Sequence, residues 1–130
     1  MIKGVNNIKM IIKNKLTNLE YMFNWCSTLK DINELKYLDI KDINNFESMF
    51  YECSSLSDIK PLQNWNVSNG NNFRGMFRGC SLLSDIKALQ NWNVSNVKNF
   101  EGMLKGCLSL LDIKVLQNWN VPFNILLGKY

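Results

Sequence analysis

Four cysteines recur at equal intervals of 27 residues, at Cys26, Cys53, Cys80 and Cys107. If adjacent repeats stack, their Cα atoms would lie about 5 Å apart, within the range that a disulfide requires. Each cysteine also ends a stripe of apolar residues, where a free thiol packs as a small hydrophobe. We therefore expect a structural column of buried, reduced thiols. Disulfides are the alternative, and a metal site is disfavoured because ligands in a line do not converge tetrahedrally.

Carboxylates recur with the same step, two residues ahead of a column of amines. The carboxylates belong to Asp31, Asp58, Asp85 and Asp112, and the amines to Lys60, Lys87 and Lys114. Paired carboxylates could act in hydrolysis or hold calcium. Side chains two residues apart on a strand point to the same side, however, so the lysines can neutralise the aspartates. We expect a solvated charge face, or aspartates bonded to backbone at a turn, rather than catalysis.

Tryptophan forms a further column at Trp65, Trp92 and Trp119. Rows of aromatic rings suggest a platform for carbohydrate or for base stacking. The same position holds Leu38 one repeat earlier and Ile11 before that, so core packing is the better interpretation.

Trp25 is different, because its equivalents are Glu52, Gly79 and Gly106, which indicate a solvent-facing position. It is a candidate exposed anchor for a partner, or a cover for the first layer of the structure.

Glutamine and asparagine add a polar ladder to each repeat. The glutamines are Gln63, Gln90 and Gln117, and the asparagines are Asn64, Asn66, Asn91, Asn93, Asn118 and Asn120. Some of these amides must satisfy backbone groups in the turns, and the remainder offer hydrogen bonds to a partner.

The composition favours one domain and argues against most enzymes. The 130 residues are 46% hydrophobic, enough for one core, and the net charge of +4 is mild, with both signs interleaved. Histidine is absent, which removes the usual general base and most zinc sites. We expect no catalytic residues, no metal and no cofactor.

Nearly all of the sequence keeps the step of the cysteines, which is typical of a stacked repeat protein. One copy reads NNFRGMFRGCSLLSDIKALQNWNVSNV from residue 71. Its residues Phe73, Met76, Phe77 and Cys80 stand at i, i+3, i+4 and i+7, the spacing of an amphipathic helix. The same stripe ends at each of the other cysteines, so the pattern predicts four short helices.

After each cysteine, apolar residues come at every third position, as in Leu56, Ile59, Leu62 and Trp65. This rhythm fits neither a regular helix nor a regular strand and suits a chain that turns inward repeatedly. We expect a short strand over residues 58–62 and another over 64–67, stacked in parallel between repeats. The sequence therefore predicts an α/β repeat solenoid in one domain. Residues 1–17 would form a degenerate cap and first strand layer, residues 18–121 four repeats, and residues 122–130 a C-terminal cap after Pro122.

The motifs FRGMFRGCSLL and NWNVSNV resemble those of the BspA-like leucine-rich-repeat proteins, over residues 18–121. The resemblance implies a leucine-rich-repeat-like right-handed coil, with stacked parallel strands on one face and short helices on the other. It also implies a part of a microbial surface or secreted protein that acts in adhesion or protein binding, with no catalytic residues to carry over.

The sequence thus predicts a non-enzymatic module that binds a protein ligand. The candidate contact residues are Trp25 and the columns Lys60, Lys87, Lys114, Gln63, Gln90 and Gln117. A glycan or polyanion binder that uses the Lys, Trp and Asn columns is one alternative, and a structural spacer is another. The N-terminus has no secretory pattern and no run predicts membrane insertion. A complete chain would stay in the cytoplasm, and a fragment of a longer protein could belong to the cell surface.

Overall fold

The computed structural model describes residues 16–129, which form a stack of repeated turns of chain. We call each turn a coil: coil 1 is residues 18–44, coil 2 is 45–71, coil 3 is 72–98 and coil 4 is 99–121. Isolated parallel bridges at one asparagine per coil link Asn18 to Asn45, Asn45 to Asn72 and Asn72 to Asn99. The predicted N-terminal cap lies almost entirely outside the described residues, as do Ile2, Val5, Ile8 and Ile11 of its proposed strand layer.

The predicted α/β repeat solenoid is wrong. Within residues 16–129 there is no β-strand, and the single α-helix, α1 at Phe123–Leu127, follows the repeats. The other elements are 3₁₀ helices at Asn33–Tyr37, Lys60–Leu62, Lys87–Leu89 and Lys114–Trp119. The stack therefore has neither the helical layer nor the parallel sheet that the sequence pattern predicts.

Consecutive tight turns replace the four predicted helices, at residues 19–26, 46–53, 73–80 and 100–107. In the second segment, the N–H groups of Phe46, Ser48, Phe50 and Glu52 donate to carbonyls of coil 3 over 2.7 to 2.9 Å. Of the residues between them, Met49 and Tyr51 donate to the carbonyl three positions back, each at 3.2 Å, and Glu47 donates to the side-chain oxygen of Asn45 at 2.9 Å. We call the four hydrogen-bonded segments the turn ladder.

A backbone feature with a period of four residues prevents these segments from being helical. In coil 3, Gly75 and Gly79 have φ of +60° and +80°, and the corresponding residues of the other coils are also left-handed. A right-handed helix requires negative φ at every residue, and glycine adopts positive φ without a steric penalty. With a period of four, residue i lies on the same face as residue i+4, and residue i+3 lies on the same face as residue i+7. This spacing imitates the apolar stripe of a helix.

The predicted strands are also replaced, by the 3₁₀ helices and the turns around them. A 3₁₀ helix has three residues per turn, which matches the apolar rhythm of Ile59, Leu62 and Trp65. All three side chains are buried. An aspartate two residues ahead fixes the start of each 3₁₀ helix; the Asp58 carboxylate accepts a hydrogen bond from the backbone N–H of Lys60 at 2.9 Å. Asp31, Asp85 and Asp112 make the same contact in their own coils.

Aromatic rings stack from coil to coil in the core. The ring centroids of Phe50 and Phe77 lie 5.4 Å apart with planes inclined by 4°, and Phe23 stacks on Phe50 at 5.6 Å. Trp65 and Trp92 are buried in a parallel stack, and the indole N–H of Trp92 donates to the Leu62 carbonyl of the preceding coil at 3.0 Å. The tryptophan column therefore belongs to the core.

Helix α1 closes the last coil. It begins after Pro122, and the backbone N–H groups of Gly102 and Leu104 donate to the carbonyls of Ile125 and Leu126, each at 2.8 Å. The tail thus supplies the acceptors that a fifth ladder segment would otherwise provide, and it buries Leu126 against the core.

Removing an inner core side chain should destabilise the stack strongly. Met76 is fully buried between ladder segments, so Met76→Ala should lower the free energy of unfolding by about 2 to 4 kcal/mol. Met22 occupies the equivalent position of coil 1 and is only half-buried, so Met22→Ala should cost less. Urea denaturation followed by circular dichroism measures both. An equal loss of unfolding free energy in the two variants would contradict the placement of Met22 in the end coil and Met76 in an inner coil.

Candidate functional site

One cavity lies on the turn ladder and runs across all four coils. It is a groove of about 300 Å³. Its main side chains are Tyr21, Trp25, Tyr51, Arg74, Arg78 and Lys105, and Gly75, Gly102 and Glu101 also line it. We call it the ladder groove.

The ladder groove exists because the side chain at one left-handed position becomes smaller from coil 1 to coil 4. That position holds Tyr21 in coil 1, Ser48 in coil 2, Gly75 in coil 3 and Gly102 in coil 4. The second left-handed position changes from Trp25 to glycine in the same direction. Aromatic rings thus form one end of the groove, and bare backbone forms its base toward the other end.

Trp25 is the exposed tryptophan that the sequence singled out, with 58% of its surface accessible. Its ring meets that of Tyr51 edge-on, with centroids 5.7 Å apart and planes at 76°. On the other side of Tyr51, the guanidinium of Arg78 lies 5.6 Å from the ring centroid. The three side chains form a continuous surface, in which the ring of Tyr51 holds the cation of Arg78 in place.

A second cluster fixes the opposite wall of the groove around the carboxylate of Glu47. The hydroxyl of Tyr21 donates to this carboxylate at 2.6 Å, the side-chain amide of Asn72 donates at 3.0 Å, and the Arg74 guanidinium lies 3.9 Å away. The hydrogen bond from Tyr21 lowers the pKa of Glu47 and raises that of Tyr21. Glu47 therefore stays ionised, and it offsets the charge of Arg74.

The positive charge of the groove that remains unneutralised comes from Arg78 and Lys105. Neither side chain forms an ion pair within residues 16–129. They occupy equivalent positions of coils 3 and 4, so their backbones are neighbours in the ladder, where Gly79 donates to the Lys105 carbonyl at 2.8 Å. Glu101 is the one acidic residue in the described lining.

The predicted lysine and glutamine columns lie elsewhere, on the edge formed by the 3₁₀ helices. Lys60, Lys87 and Lys114 each begin a 3₁₀ helix and are exposed, as are Gln63, Gln90 and Gln117. We call this surface the lysine edge. The structure places Lys60, Gln63 and Lys87 along one depression of about 560 Å³, together with Asp58 and Asp85. The lysines do not meet Trp25.

The aspartate column serves the backbone rather than chemistry. Each carboxylate accepts a hydrogen bond from the start of its own 3₁₀ helix, over 2.8 to 2.9 Å. Of the two interpretations that the sequence left open, the contact with turn backbone is the one that the geometry supports. In the part of the chain that the structure describes, no group of three or more His, Cys, Asp or Glu side chains is placed to hold a metal ion.

The cysteine column is buried, and its four residues are free thiols. Each of the last three thiols donates to a phenylalanine carbonyl of the preceding coil, as Cys80 does to Phe50 at 3.2 Å. Burial raises the pKa of all four thiols, to about 12 for Cys53 and Cys107. Thiols of this kind are poor nucleophiles at neutral pH, so the column contributes packing rather than reactivity.

Sequence reasoning found Trp25 but missed the residues that surround it. Tyr51, Arg78 and Lys105 form one column after Asn24, and Arg74 follows Glu47 in another. The signal was the glycine pair four residues apart in FRGMFRGC, which indicates an open, left-handed backbone at the base of a groove.

Alkaline pH should destabilise the protein through its buried thiols. Cys53 ionises near 9 in the unfolded chain and near 12 in the folded one, so the unfolded state loses its proton first. The free energy of unfolding should fall from about pH 9 upward, by about 1.4 kcal/mol per pH unit for each such thiol. Urea titrations between about pH 8 and 11 should show a shallower decline for Cys53→Ala. Ser57→Ala is the control, and identical slopes in both variants would contradict the assignment.

Among the described residues, no helix has the length and apolar character needed to cross a bilayer. No curated protein matches this sequence, and no solved structure does. The family described as "Mycoplasma protein of unknown function, DUF285" matches residues 6–124. Because that match covers most of the sequence, the chain belongs to this family.

Proposed function

We propose that the chain is a non-enzymatic protein-interaction module that binds its partner in the ladder groove. The observation that carries the proposal is the continuous surface of Trp25, Tyr51 and Arg78. Tryptophan, tyrosine and arginine are the residues most enriched at the energetic centres of protein interfaces. The resemblance to BspA-like proteins supports the same role, in a microbial surface or adhesion protein.

The groove is also suited to a partner because it is rigid before binding. Its residues come from four coils whose backbones are hydrogen-bonded to one another, and the core behind them is fully packed. A preformed site loses little conformational entropy on association. The chain has no histidine to act as a base, and the thiols of Cys53 and Cys107 are protonated at neutral pH and so are poor nucleophiles.

The glycan or polyanion alternative is less well supported at the lysine edge. Lys60 and Lys87 share their depression with Asp58 and Asp85, so the edge presents alternating charge instead of a basic row. A polyanion would meet as many carboxylates as amines there, which weakens its attraction.

The spacer alternative has one observation in its favour, at the end of the stack. Leu108 and Leu111 of coil 4 are 82% and 98% exposed. The equivalent residues of coil 3, Ser81 and Ser84, are polar. Exposed leucines at the last coil could support stacking of one chain on another, so we keep this role as the second candidate.

Photo-crosslinking in living cells that express the chain tests the binding role. The crosslinker p-benzoylphenylalanine should capture a partner protein when it replaces Tyr51 in the groove, and should capture none when it replaces Gln63 on the lysine edge. Trp25→Gly should abolish the capture at position 51. Glycine occupies the same left-handed position in coils 3 and 4, so the fold should be kept.

Capture at position 63 alone would place the interface on the lysine edge. Crosslinks to a second copy alone would favour the spacer role instead.

Sedimentation and light scattering test the spacer role separately. If the end leucines drive stacking, the wild-type chain should self-associate as its concentration rises. The double variant Leu108→Ser with Leu111→Ser, which restores the polar residue types of coil 3, should remain monomeric. A monomeric wild-type chain at concentrations of about 1 mM would exclude self-stacking stronger than about 4 kcal/mol in binding free energy.

A further inference from the structure

The ladder groove has two chemically different halves. The half at coils 1 and 2 is aromatic, with Tyr21 and Trp25 exposed and the ring of Tyr51 beside them. The half at coils 3 and 4 carries three cations, Arg74, Arg78 and Lys105, against the one carboxylate of Glu101, over the glycine base. A ligand that fills the groove must therefore be apolar at one end and negatively charged at the other.

The cationic half is arranged to receive a carboxylate. The side chains of Arg78 and Lys105 extend from neighbouring ladder segments, which lie about 4.8 Å apart at the backbone, so an anion between these two like charges would be attracted by both. Within the described residues neither has an acidic partner. The ring of Tyr51 holds the guanidinium of Arg78 at the groove, and a guanidinium can form a two-point contact with a carboxylate.

The length of the groove limits the ligand to a short segment. The aromatic pair belongs to coils 1 and 2 and the cation pair to coils 3 and 4, so the centres of the two pairs are two intervals, or about 10 Å, apart. An extended peptide rises about 3.3 Å per residue, so about three residues separate the apolar group from the carboxylate.

We propose that the ladder groove binds an extended acidic segment of the partner protein. A large apolar or aromatic side chain of that segment packs on Trp25 and Tyr51, and a carboxylate about three residues away lies between Arg78 and Lys105. This inference rests on the proposed function, because it takes the groove as the site of protein binding and adds the chemistry of the ligand.

The surroundings of the cation pair favour a carboxylate segment over a long polyanion. The Glu47 carboxylate already offsets Arg74. The Glu52 carboxylate lies against Gly79, where an added Cβ would come within 2.6 Å of one of its oxygens. A sulfated glycan or polyphosphate carries many negative charges, so these carboxylates repel it more strongly than they repel a single carboxylate.

Defined peptides test the inference on the full chain. The acidic probe is the acetylated, amidated peptide Phe-Gly-Gly-Glu-Glu, and the neutral probe replaces both glutamates by glutamine. The acidic peptide should shift the indole N–H resonance of Trp25 in nuclear magnetic resonance titrations and bind about tenfold more tightly than the neutral peptide. The difference should shrink at high salt.

Two double variants give the matched comparison. Arg78→Gln with Lys105→Gln should weaken binding of the acidic peptide about tenfold. Lys60→Gln with Lys87→Gln removes the same charge from the lysine edge and should leave the affinity within about twofold of wild type. Thermal unfolding of both variants checks that the fold is kept. Arg78→Glu with Lys105→Glu should instead prefer the peptide in which lysines replace the glutamates.

The outcomes separate this inference from the proposed function. Equal affinity for the acidic and neutral peptides, or tighter binding of a heparin hexasaccharide that depends on Arg78 and Lys105, would overturn the acidic segment. The acidic segment is also overturned if neither peptide shifts the Trp25 resonance while photo-crosslinking at position 51 still captures a partner. In that case the proposed role in protein interaction would stand. If the groove also gives no crosslink, the proposed function fails as well.

Discussion

The structure depends on the alternation of backbone hydrogen bonds in the turn ladder. Every second N–H donates to the next coil, and the N–H groups between them close turns within their own coil. Neither a helix nor a sheet divides its donors in this way, because a helix keeps its interior donors inside one segment and the strand of a sheet directs them to its neighbours. This pattern ties the coils together and also leaves room for a core of stacked rings. It requires a left-handed residue at every fourth position.

The sequence predicts the repeat, its period and the buried columns, because these follow from equivalent residues at a fixed spacing. It misleads on the local conformation, since the stripe of Phe73, Met76, Phe77 and Cys80 fits a period of four as well as one of 3.6. Gly75 and Gly79 were the evidence against a helix, and the rhythm of Ile59, Leu62 and Trp65 was the evidence for a 3₁₀ helix. The first pattern was assigned to the commoner element that shares its spacing, whereas the second was assigned to strands although a strand has a period of two.

The ladder groove was harder to predict, because it is defined by differences between the copies. The repeat makes Tyr51, Arg78 and Lys105 equivalent, but a search for recurring residues passes over a column whose members change. Trp25 was found for the opposite reason, since its equivalents are glutamate and glycine. The lysine edge attracted attention because its residues recur, yet each lysine there is accompanied by an aspartate that the turn itself requires.

The left-handed positions of the ladder have a consequence for how such a chain can diversify. Each coil offers two of them, and in the four coils they carry tyrosine, tryptophan, serine, glutamate and glycine on the same backbone. A change at one of these positions alters the outer surface without altering the rings behind it. Duplicated copies of one unit can therefore acquire different surfaces by single substitutions, while the interior that makes them stack stays the same.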